Sequence, residues 1–167
     1  MAELTPSERL QPCLLDRLTD EHPESTQESR DQRVISLRRF RHGVLRDLRW
    51  LLNTGSRTER DGLDEFGEAE RSVLNYGIPD LCGMTASGIS PGDVERRMLD
   101  AIRLFEPRIL RESLAVKVVG LDPNSHNAIS FEISGDLWAE PLPDQLYIKT
   151  ELDLETGQFD VKETPGG

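Results

Sequence analysis

The chain is poor in the residues that most often carry out chemistry. Among 167 residues there are two cysteines, Cys13 and Cys82, too few and too far apart for a metal-ligand or redox pattern. They read as two reduced thiols of a cytosolic protein. His22, His42 and His126 are scattered and form no ligand set. Aromatics are only 5% of the residues, and no apolar run approaches the ~18 residues of a membrane span. The N-terminal stretch MAELTPSERLQPCLLDRLTD is broken by charge and proline throughout and offers no signal-peptide core. The reading is a cytoplasmic protein without membrane insertion. Excess positive charge is also missing. A formal net charge of -11 argues against nucleic acid as partner, because phosphate neutralisation needs a basic face. It argues equally against an enzyme that must approach an anionic wall polymer.

What is present is charge of both signs, unevenly placed. Residues Arg30–Arg49 carry seven arginines against Asp31 and Asp47, whereas Gly120–Gly167 carry ten acids against Lys149 and Lys162. Such a dipole suits a chain held between partners of different sign, or simply a soluble surface. The length fits one compact domain.

Periodicity divides the chain in two. A short helix is expected at Pro12–Thr19, followed by the polar linker DEHPESTQESRDQ, which has nothing to bury. Leu14, Leu15 and Leu18 then sit on a tethered element that either docks on a partner or packs back on its own domain. A long helix is expected at Val34–Leu52, with Leu37, Phe40, Val44, Leu48, Leu51 and Leu52 on one stripe and most arginines off it. Gly43 costs that helix about 1 kcal/mol relative to alanine unless it permits a close contact. Asn53-Thr54-Gly55 is the expected stop. Residues 55–67 read as a charged loop leading to a helical turn at Ala69–Leu74. Beyond it, Tyr76, Ile78 and Leu81 should pin the loop Asn75–Asp80.

A second helix should start at Ser90-Pro91-Gly92-Asp93, with Ser90 as cap and Asp93 as capping-box acid. Val94, Met98, Ala101, Ile102, Phe105 and nominally Ile109 repeat on one face, but the helix fails near Phe105 because the Pro107 ring clashes with the Arg103 carbonyl. From Leu114 the period becomes two. Strands are expected at Leu114–Val119, around Ile129–Leu137, around Leu146–Leu152 and at Gly157–Lys162, the last a short acidic edge open to pairing unless covered. Asp122–Ser125 and Glu155–Gly157 are the turns. The fold class is therefore α+β: two main helices on an antiparallel meander of three or four strands, with a short N-terminal helix on a linker. The expected organisation is 1–32 as N-terminal helix and linker, 33–163 as one domain and 164–167 as tail.

Glu106-Pro107-Arg108 is the one constellation with chemical interest. In extended backbone Glu106 and Arg108 project to the same side, with Pro107 as a stiff spacer. In a helix they would point about 200° apart. The triad is either a helix stop with two solvated charges or a rigid display to a partner. As a catalytic acid Glu106 is poorly placed, since an adjacent arginine lowers a carboxyl pKa and no second carboxylate is singled out. No phosphate-binding loop, nucleophile elbow or metal cluster accompanies it, and no cofactor is expected.

The segments VLRDLRWLLNT (Val44–Thr54), SVLNYGIPDL (Ser72–Leu81) and IRLFEPRI (Ile102–Ile109), with LLDRLTDEHP (Leu14–Pro23) ahead and strands behind, together resemble the TssE family. These are type VI secretion baseplate subunits related to a small wedge protein of contractile phage baseplates. The resemblance runs over roughly residues 12 to 163. It implies a structural, non-enzymatic protein that joins the wedge subunits TssF and TssG, with other baseplate components such as TssK nearby. It further implies a sheet that templates the TssB/TssC contractile sheath by strand exchange. The family's triad falls on Glu106, Pro107 and Arg108 without substitution and is implicated in anchoring to the baseplate core. A "lysozyme-like" label carried by the family makes a peptidoglycan-cleaving hydrolase the alternative.

Overall fold

The computed structural model describes residues 13–19, 23–24, 36–57, 61–79, 90–121, 128–138 and 143–164. Most of the expected linker lies outside them, as do Leu81, Cys82 and the turn at Asp122–Ser125. Within them the chain forms α1 (Leu14–Leu18), α2 (Leu37–Leu52), α3 (Gly67–Glu70), α4 (Pro91–Phe105), β1 (Ala115–Leu121), β2 (Ala128–Leu137), β3 (Asp144–Asp153) and β4 (Phe159–Glu163). The strands form one antiparallel sheet in chain order, the expected meander. No helix among the described residues is long and apolar enough to cross a membrane.

Helices cover one face of the sheet. Helix α2 lies over β4 and α4 over β1. Phe40, Val44, Leu48 and Leu52 of α2 and Val94, Met98 and Ile102 of α4 are buried in the same core as Phe131, Ile133, Ile148 and Val161 of the sheet. Alternation along β3 puts Leu146, Ile148, Thr150 and Leu152 inward and Tyr147 and Lys149 outward. Thr150 is fully buried, and among the described residues its hydroxyl has no hydrogen-bond partner.

Local chemistry explains the helix ends. Ser36 caps α2 by accepting from the Arg39 N–H at 3.3 Å. At the far end Asn53 donates to the Arg49 carbonyl at 2.8 Å. Helix α4 stops at Phe105 as expected, but Glu106, at φ -121° and ψ 75°, is not extended, and a turn follows it; its N–H bonds the Ile102 carbonyl at 2.9 Å.

Three expectations are corrected. Pro91 opens α4, but the Ser90 side chain caps nothing; Asp93 instead pairs with Arg96 at 2.6 Å. Leu37 is exposed rather than buried, because it lies on the first turn of α2, ahead of the buried stripe that begins at Phe40. The expected turn at Ala69–Leu74 is split between α3 and a 3-10 turn at Val73–Asn75.

The loop after Asn75 is pinned by backbone as well as by side chains. Ile78 is buried, its N–H bonds the Thr54 carbonyl at 2.9 Å and its carbonyl accepts from the Ser56 N–H at 2.8 Å. Gly77 at φ 122° makes this approach feasible, since a Cβ there would lie 2.1 Å from the Thr54 carbonyl oxygen. The crossing sets Tyr76 edge-on to Phe105, with ring centroids 5.2 Å apart.

Candidate functional site: the turn after α4 and its ion-pair relay

Directly after α4, Pro107 and Arg108 form a turn, and the chain then runs back along the sheet. The Leu110 N–H bonds the Asp136 carbonyl and the Trp138 N–H bonds the Arg108 carbonyl, both at 2.8 Å. Residues 108–110 therefore lie on the same flank of β2 as β1 does. Ser113 secures the return by accepting from the Asp136 N–H at 2.8 Å. Gly135 leaves room beneath it, because a Cβ there would lie 2.7 Å from Ile109 Cγ2.

Glu106 and Arg108 do project to the same side, but towards each other. Arg108 Nε donates to Glu106 Oε1 at 2.6 Å and Nη2 to Oε2 at 2.5 Å. The Arg108 N–H adds a third bond to Oε1 at 3.3 Å. Glu106 is only 4% exposed, so the reading of two solvated charges is overturned. Burial of a carboxylate is tolerable here because a forked guanidinium answers both its oxygens.

The relay continues into α2. Arg108 Nη2 also reaches Asp47 Oδ2 at 2.6 Å, and Asp47 Oδ1 accepts from Arg46 Nε at 2.8 Å. Arg46 Nη1 in turn bonds Asp16 Oδ1 of α1 at 2.5 Å, while Cys13 Sγ donates to Asp16 Oδ2 at 2.9 Å. Charges thus alternate along Glu106, Arg108, Asp47, Arg46 and Asp16. Burial acts to lower the Arg108 pKa, but Glu106 and then Asp47 outweigh it, and the guanidinium is held above its ordinary value. Burial likewise acts to raise Asp16, yet bonds from Cys13 and Arg46 and the Arg46 charge hold its carboxyl below the usual value. Tyr76 beside Asp47 is pushed up, first by burial and then by Asp47 and Glu106.

Gly43 borders the relay, but the space there does not demand a glycine, because a Cβ would make only ordinary contacts. A Cβ there would lie 3.4 Å from Asp16 Oδ2 and 3.8 Å from Arg108 Nη1. Among the described residues Nη1 donates no hydrogen bond, unlike the Nε and Nη2 of the same side chain. Helix α1 is tied to α2 by the contacts of Asp16 and Cys13 with Arg46, and its leucines stay outside the core. None of its residues is buried, and Leu14 and Leu18 are 71% and 73% exposed.

Sequence reasoning singled out Glu106, Pro107 and Arg108 and missed Asp16, Gly43 as their neighbour, Arg46 and Asp47. One signal was there: Asp47 is the single acid among the arginines of Arg38–Arg49. The uneven charge also has an internal use. Arg41 pairs with Asp144 at 2.6 Å and Glu163 at 2.5 Å, joining the basic helix to the acidic strands. No group of three or more metal-ligating residues occurs among the described residues.

Residues 38–142 match the family described as baseplate wedge protein gp25, an interval that starts in the first turn of α2, takes in the Glu106–Arg108 turn and all of β2, and stops short of β3. Neither the curated proteins nor the solved structures contain a significant match to the chain.

Proposed function

The chain belongs to the baseplate wedge protein gp25 family, a structural component of phage-tail-like baseplates, and from that premise we propose that it is the TssE-type wedge subunit of a type VI secretion system. In this reading it works in the cytoplasm without catalysis, joins TssF and TssG with TssK nearby, and starts the TssB/TssC sheath. The domain spans 33–163, with the N-terminal helix as an appended strap. The family match over residues 38–142 is the observation that carries the reading.

Glu106, Pro107 and Arg108 form the anchoring site. Glu106 acts as the internal holder: by binding Nε and Nη2 it fixes the guanidinium and leaves Nη1 for a partner's carboxylate or carbonyl. A preset guanidinium loses less side-chain entropy on binding. The same geometry supports a non-enzymatic role, because a general acid needs a carboxyl available to a substrate, and both oxygens of Glu106 are engaged by Arg108.

Reconstitution with the wedge proteins tests this. Arg108→Ala is expected to keep the fold, judged by circular dichroism, and to lose wedge capture. Normal capture by a folded Arg108→Ala protein removes the site assignment. Cleavage of peptidoglycan by the purified chain, abolished in Glu106→Gln, would establish the hydrolase instead.

A further inference from the structure

Side chains from the helices reach both edges of the sheet. Along β4, Asn53 accepts from the Phe159 N–H at 2.9 Å and donates to its carbonyl at 3.0 Å. Arg49 clamps the Val161 carbonyl with Nε at 3.1 Å and Nη2 at 2.9 Å. The expectation of an open β4 edge is thereby corrected. Along β1, Leu114 and Val116 are buried and the Val118 N–H donates to Glu95 Oε2 at 3.0 Å. Among the described residues, what stays uncovered is the outer face of the sheet, opposite α2 and α4.

That face holds every lysine of the chain. The sequence has three, Lys117, Lys149 and Lys162. Register sets them in one row across all four strands: Lys117 opposite Glu132, Glu132 opposite Lys149, and Lys149 opposite Lys162. All four residues are exposed. Lysines on outer strands commonly guard a sheet against stray pairing, which accounts for Lys117 and Lys162. It does not account for Lys149, which sits on an inner strand directly opposite Lys162, where like charges repel. Lys162 has Asp160 at 2.5 Å, but among the described residues neither Lys117 nor Lys149 has an ion-pair partner. The arginines differ: Arg41, Arg46, Arg49 and Arg108 are all engaged by internal carboxylates or carbonyls.

We propose that this lysine row is a docking surface for an acidic helix of a neighbouring baseplate component. The contact presupposes the wedge reading above and is separate from the grip at Arg108. Strands about 4.8 Å apart put Lys117 about 10 Å from Lys149, and Lys149 about 5 Å from Lys162. Carboxylates two turns and then one turn apart on a helix lie at about 11 and 5 Å. One helical face laid across the strands therefore answers all three lysines. On one side of the row, Ala115 and Ser134 are small and give the helix backbone room, and Tyr147, 41% exposed, offers it an apolar edge. A nucleic acid fits less well. Glu151 and Asp160 stand on the other side, about 7 Å along the strands, and repel a continuous phosphate chain more than isolated carboxylates.

Because the row holds all the lysines, an amine-reactive label reads this face alone, apart from the terminal amine. The full-length chain is labelled free and in complex with the wedge proteins, and the complex is cross-linked with a carbodiimide, which joins amines to carboxylates in contact. Lys149 and Lys162 are expected to lose most of their labelling on capture. Cross-links should reach acids three, four or seven residues apart in one partner segment. Replacing all three lysines by glutamine should keep the fold and slow capture about fivefold at low salt, roughly what a few exposed ion pairs supply. Replacing them by arginine should leave the rate unchanged. Capture with all three lysines still fully reactive overturns this assignment alone. Cross-links that reach only the chain's own acids, a second copy, or acids scattered over several segments overturn it as well. Protection by a single-stranded DNA oligonucleotide, and not by the wedge proteins, gives the face to nucleic acid and also overturns it. A wild-type chain that is not captured at all removes the wedge reading, and the acidic-helix contact with it.

Discussion

Helix α2 faces two kinds of neighbour. Its apolar stripe, Phe40 to Leu52, is sealed against the sheet and α4. Its other flank, Gly43, Arg46 and Asp47, meets α1 and the Glu106–Arg108 turn through ion pairs. The first attachment is non-directional and survives small shape changes; the second depends on individual atoms. Stability should therefore reside on one side of the helix and assembly on the other.

The most severe break is expected on the apolar side. Phe131→Ala removes a fully buried ring and should cost about 4 kcal/mol, measurable by chemical denaturation. Arg108→Ala leaves Glu106 buried without its counter-charge and should cost about 2–3 kcal/mol, less than for a fully buried pair because Arg108 is partly exposed. Replacing both residues, Glu106→Leu with Arg108→Met, should recover most of that loss while wedge capture stays absent. Such a result would separate the ionic side's part in assembly from its part in folding. Thr150→Val tests the flaw on the apolar side: an unpartnered hydroxyl is removed from the core, and stability should rise by about 1 kcal/mol.

The smallest global effect belongs to Asp16→Asn, expected below about 1 kcal/mol because the pair it breaks is partly exposed. Its local effect is larger: amide exchange at Arg17 and Thr19 should accelerate while the core exchanges as before. The same contact sets a pH limit. The folded Asp16 pKa lies below its ordinary 3.8, so its contribution is complete above that value and lost as pH falls further. Protection at α1, taken as the exchange rate relative to the intrinsic rate at each pH, should therefore fall in that acid window and stay constant from pH 5 to 7.

These contrasts also explain what was legible beforehand. Pro107 stopping α4, the alternation from Leu114 onward and the stripe on α2 are local signals with a fixed period, and the structure follows them. Ser90 misled because its side chain makes no capping bond even though Pro91 opens the helix as expected. The relay left almost no trace, since Asp16 and Arg46 lie 30 residues apart and Asp47 and Arg108 lie 61 apart. A pairing at that separation has no period to detect. The β4 edge was misjudged for the same reason: what closes it comes from Arg49 and Asn53, far earlier in the chain.

Gly135 carries a mechanical consequence. With no side chain there, the turn from Ile109 to Ser113 rests directly on the backbone of β2, and Ser113 fastens it. A load applied at Arg108 passes into the sheet through two backbone bonds, from Leu110 to Asp136 and from Trp138 to Arg108. Under the proposed anchoring role, a partner bound at Arg108 and the strands of the sheet would then move as one stiff lever rather than as a hook on a spring.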